Sequence, residues 1–144
     1  MMNSLKFEAY QIGVYCDTVY MILEKHTELS IVKLIFFAYA INKERFFGKR
    51  VYDAKNTKNI ISKEISIVSG DFIGYANAVP YIIKAIHILS RANKIKIENN
   101  IAHLTETDNH YIECNRESKF VYNVIEESKK WSDRRFMREV LHNV

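Results

Sequence analysis

The sequence holds one proline, four glycines and two cysteines in 144 residues, and each scarcity removes a class of answer. With so little proline and 48% of its residues apolar, the chain reads as globular and helix-rich. Its length fits one domain with a core that needs no covalent staple. Cys16 and Cys114 lie far apart with no metal-ligand spacing, which reads as two reduced core thiols in a cytosolic protein. The first residues, MMNSLKFEAYQ, lack the charged-then-oily pattern of a secretion signal. The longest apolar run, 31–41, is interrupted by Lys33 and stops short of the ~20 residues a membrane span needs. The expectation is a cytoplasmic protein with no membrane partner.

Catalytic signatures are missing as well. There is no glycine-rich phosphate loop, nucleophile elbow or kinase signature. The five histidines, His26, His87, His103, His110 and His142, show no i, i+4 pair and no neighbouring cysteine pattern for zinc. His103 and His110 with Glu106 and Asp108 read as a solvated polar loop. No catalytic residue, metal or cofactor is expected. Such a chain is a binding protein rather than an enzyme.

What is present is a helix running into a hairpin. In 78–92 the stripe Ile82, Ile83, Ile86 and Leu89 recurs at helical spacing, and Pro80 falls in the first turn, where its missing amide hydrogen costs nothing. Ile95 and Ile97 then alternate with Lys94, Lys96 and Glu98, and Asn99-Asn100 suits the positive φ angles of a two-residue hairpin turn. Upstream, 5–25 reads as a helix with Tyr10, Val14 and Leu23 inward and Tyr15 and Tyr20 at the core edge. The segment LSIVKLIFFAYAI is oily enough to be the central helix, capped by Thr27 or Ser30, with Lys33 pointing outward. Residues 42–58 read as an extended connection, in which Phe46 and Phe47 either tuck onto the core or meet a partner. Residues 59–68 read as a short helix and 106–116 as loop. Helix 117–130 turns Phe120, Val121 and Val124 inward, and Ser132 or Asp133 caps a last helix with the oily face Phe136, Met137, Val140 and Leu141. The fold class is therefore mainly α with a small β-hairpin: one winged-helix-like domain, its helix-and-wing unit at 78–105, with additional N- and C-terminal helices.

The formal charge of +4 says less than its distribution. No carboxylate falls between Asp71 and Glu98, whereas Lys84, Arg91, Lys94 and Lys96 do. Lys84, His87 and Arg91 share the side of the helix opposite the oily stripe, and Lys94 and Lys96 share a strand face. These five are the candidate DNA-binding residues, suited to phosphates and lacking the asparagines and glutamines that read base edges. Phe46, Phe47, Phe136, Val140 and Leu141 are the candidate partner-binding residues, because an oily terminal helix can dock in a partner's groove.

In HTELSIVKLIFFAYAI, PYIIKAIHILSRANKIKIENNIAHLTE and the closing SDRRFMREVLHNV, the chain resembles the small middle components of three-component ABC-ATPase systems. Lamassu-type bacterial anti-phage defence belongs to that group. The similarity covers most of the chain as a pattern of helices and wing. It implies a non-catalytic adaptor encoded beside an SMC-like ATPase and an effector, often a nuclease, coupling the sensing of foreign DNA to the effector. The alternative is a stand-alone winged-helix regulator with weak, non-specific contact to double-stranded DNA.

Overall fold

The structure is a computed structural model and describes residues 2–43, 71–105 and 119–142. Among these described residues, five helices and three strands follow in the order α1 (Met2–His26), β1 (Glu28–Ser30), α2 (Ile31–Asn42), α3 (Phe72–Arg91), β2 (Ile95–Glu98), β3 (Ile101–Leu104), α4 (Lys119–Ser128) and α5 (Asp133–His142). The strands form one antiparallel sheet in the order β1-β3-β2. The expected fold class, mainly α with a small hairpin, is what the chain adopts.

α2 is the centre. Ser30 caps it by accepting the Lys33 amide hydrogen at 3.4 Å, and every residue from Leu34 to Ile41 except Ile35 is buried. Phe36 meets Phe37 edge-on at 5.3 Å, Phe136 of α5 edge-on at 5.1 Å and Tyr75 of α3 at 5.9 Å. One side chain of α2 thus joins three helices. Each such fully buried ring contributes roughly 2–3 kcal/mol by burial alone.

α3 lays Tyr75, Ala78, Ile82, Ala85, Ile86 and Leu89 against α1 and α2. Length and composition alone would let α3 cross a bilayer; here its apolar face is the one packed on those two helices. Its end explains how a helix passes into a strand within three residues. Asn93 adopts φ 59°, its amide donates to Ser90 O at 3.1 Å, and the Lys94 amide donates to Leu89 O at 2.9 Å. That is a Schellman closure with asparagine at the left-handed position. At the hairpin turn Asn99 and Asn100 take φ 53° and 64°, as their sequence suggested.

The hairpin is joined to the helices on one edge. β1 pairs along β3 with Leu29 opposite Ala102, and the Ile31 amide donates to Asn100 O at 2.9 Å, so the turn rests on the start of α2. β2 is the open edge, guarded by Lys96 and Glu98.

Several expectations are corrected. Lys33 points inward, not outward: it is 5% exposed, donates to Trp131 O at 2.5 Å and lies 3.8 Å from Asp133. α5 docks where solvent was expected. Burial pushes the Lys33 ammonium down from its ordinary pKa, and Asp133 opposes that shift. Tyr10 is exposed, not on the inner stripe, and Ile83 is half-exposed because Ile82 and Ile86 already fill the space against α1 and α2. Helix α3 begins at Phe72, six residues before its expected start, so Pro80 stands in the helix interior on the exposed side. The expected segments 44–70 and 106–118, and the Phe120 side chain, lie outside the described residues.

Candidate docking surface

The outward face of α3 carries Ile73, Ala76, Asn77, Pro80, Ile83, Lys84, His87, Ile88 and Arg91, all exposed and spaced three or four apart. Ile73 is 77% exposed, Ile83 50% and Ile88 47%. Beside it, the N-terminal part of α1 leaves Leu5 71% and Tyr10 69% exposed. The two helices are tied across this surface by an ion pair between Lys84 and Glu8 and by Cys16, whose thiol reaches Ala85 O at 3.7 Å. Leu5 shares a face of α1 with Glu8, and Ile88 shares a face of α3 with Lys84. The ion pair therefore sits between two exposed apolar side chains. A row of large apolar groups in water around a neutralised pair suits another protein better than a polyanion.

The five expected DNA-binding residues are brought to one side of the molecule but not as one set of available charges. Lys84 is held by Glu8, whose hydrogen bond and charge raise its pKa. Lys96 lies 3.3 Å from Glu98. Arg91 and Lys94 are the two basic side chains of the five with no ion pair to a described residue, and His87 is exposed between Lys84 and Arg91.

Of the expected partner-binding residues, Phe46 and Phe47 lie outside the described residues. Phe136 and Val140 are not surface groups: they are 0% and 1% exposed, packed into the core against α2. The oily stripe of α5 is already occupied within the domain. Leu141, 60% exposed, stays open. What sequence reading missed is Ile73, Ile88, Leu5 and Tyr10. The signal was there for α3, because Ile73 and Ile88 fall off the stripe that Ile82, Ile86 and Leu89 define.

A cleft of about 280 Å³ opens between the hairpin tip, the start of α2 and the α4–α5 turn, lined by Leu29, Lys33, Asn99, Ile101, Trp131 and Asp133 among others. Lys33 faces Asp133 across it, and Lys129 at its rim lies 2.9 Å from Glu126. Glu28, also on its lining, makes no ion pair with a described residue. Among the described residues no three histidine, cysteine, aspartate or glutamate side chains gather as a metal site. His103 places Nδ1 3.1 Å from its neighbour's carbonyl, Leu104 O. His110, Glu106 and Asp108 lie outside the described residues.

No family model, no curated protein and no solved structure matches the chain.

Proposed function

We propose that this chain is a non-catalytic, cytoplasmic adaptor subunit of an SMC-like ABC-ATPase complex of the Lamassu-type defence group, linking the ATPase to an effector nuclease. It docks on the ATPase through the outward face of α3 and the adjoining part of α1. The observation that carries this reading is the exposure of Ile73, Ile83 and Ile88 along one helix face while Lys84 on that face is neutralised by Glu8. Among the described residues, helix, strand, helix, helix and hairpin follow one another with strand order β1-β3-β2, which supports a winged-helix-like framework beneath it. Modules of that shape present one helix to a partner.

The proposal requires an SMC-like ATPase gene beside this one, and co-expression of the two should give a complex that survives gel filtration. Ile83→Lys with Ile88→Lys should abolish the complex and leave Tm within about 2 °C, since both side chains already face water. A chain that stays alone beside its neighbouring ATPase, or a complex indifferent to both lysines, ends the proposal.

A further inference from the structure

We infer that the outward face of α5 is a contact for the phosphate backbone of duplex DNA. Arg134, Arg135 and Arg138 stand exposed there, and the helix's two acids, Asp133 and Glu139, are half-buried on its flanks. Asp133 lies 3.8 Å from Lys33, and Glu139 makes a contact of its own. The neighbouring lysines are matched: Lys129 lies 2.9 Å from Glu126 and Lys130 3.2 Å from Glu127. The three arginines make no ion pair with a described residue. Three unmatched arginines therefore stand together on one helix here, whereas among the lysines and arginines of α3 and the hairpin only Arg91 and Lys94 lack an ion pair to a described residue.

Arginine is the residue type suited to phosphate, always charged and forked in its donors. Arg134 and Arg138 are one turn apart on the same row. Arg135 lies over the Trp131 ring, 4.1 Å from its centroid, which holds its guanidinium in place beside them. A ten-residue helix is about 15 Å long, enough to follow a short run of phosphates along one strand. Two features select duplex DNA over other acidic partners. The Trp131 face that could stack an unpaired base is covered by Arg135, which disfavours a single strand. Among the described residues of α5, Leu141 is the one large apolar side chain open on this face, too little anchor for a protein partner. No asparagine or glutamine lies on α5, so contact is independent of sequence.

The test uses the chain alone, so its outcome is separate from that of the ATPase partnership. Anisotropy of a labelled DNA duplex should show binding at low salt, equal for two unrelated sequences. The log–log salt slope should be about −3, near one counterion per arginine. Arg134→Gln with Arg138→Gln, which make no ion pair with a described residue, should weaken binding at least tenfold and reduce that slope by about two. Lys94→Gln with Lys96→Gln should change it by less than twofold. Absence of duplex binding at low salt, a loss that follows the hairpin lysines instead, or tighter binding to duplex RNA, single strands or polyglutamate than to duplex DNA overturns the inference.

Discussion

Gly74 decides how closely α2 and α3 approach. A methyl group built there would lie 2.6 Å from the Tyr39 hydroxyl and 2.7 and 2.8 Å from the two carboxylate oxygens of Asp71. Those groups meet each other, the Tyr39 hydroxyl donating to Asp71 Oδ2. Burial first, and then the neighbouring Asp71, hold that hydroxyl protonated well above the usual tyrosine range. Any side chain at residue 74 must separate them. Gly74→Ala should cost about 1–3 kcal/mol, the range for forcing a methyl group into a packed site. Gly13 offers the opposite case, since a methyl group there meets nothing within 4 Å. Gly13→Ala in α1 should raise stability by about 0.5–1 kcal/mol through the glycine's lost backbone freedom. Urea unfolding midpoints of the two variants should move in opposite directions; a shared direction would remove the steric argument.

At the level of elements, periodicity carried α1, α2, the hairpin and α5 into view, because each has at least one full repeat of its pattern. β1 has three residues, Glu28–Ser30, too few to show a period, and it exists because β3 offers an edge. Lys33 and Tyr10 were misplaced for a related reason. The side of α2 that holds Lys33 is closed by α4 and α5, a hundred residues away in sequence, and no local pattern announces that. The docking face was half legible: its charges were read, but the Lys84–Glu8 salt bridge that neutralises one of them needs the fold. α3 also carries a contradiction that the sequence disguised. Pro80 sits in mid-helix, where it cannot donate to Ala76 O. Proline in a helix interior costs ~3 kcal/mol relative to alanine, and its restriction of the unfolded chain returns ~1 kcal/mol. Pro80→Ala should therefore stabilise the protein by about 2 kcal/mol in urea titration. A destabilised variant would mean that the ring makes packing contacts worth more than the missing hydrogen bond.

Across the whole molecule, α4 and α5 are joined to the rest by two kinds of contact. Phe136 and Val140 enter the core from one side, and a polar group binds the end of α1 to α4 from the other. His26, 1% exposed, places Nδ1 2.9 Å from Glu126 Oε2, and its ring lies 4.6 Å from that of Tyr122. Lys129 donates to the His26 carbonyl at 2.6 Å and reaches Glu126 at 2.9 Å, placing a cation at the negative end of α1. Partial burial pulls the Glu126 carboxyl upward, but hydrogen bonds and charge from His26 and Lys129 prevail and leave its pKa below the ordinary value. A carboxylate with a depressed folded pKa contributes stability above its unfolded pKa, about 4.3, and loses that contribution as pH falls through the folded value. Unfolding free energy should thus be level from neutrality to about pH 5 on account of this group and fall below about pH 4. Glu126→Gln should be the less stable protein near neutrality, with the gap to the parent closing as both are acidified. The gap stays modest because Glu126 is 39% exposed and water screens its partners. A gap that keeps its size down to pH 2 would show that residue 126 holds α4 to α1 by shape and hydrogen bonding alone, with its charge contributing nothing.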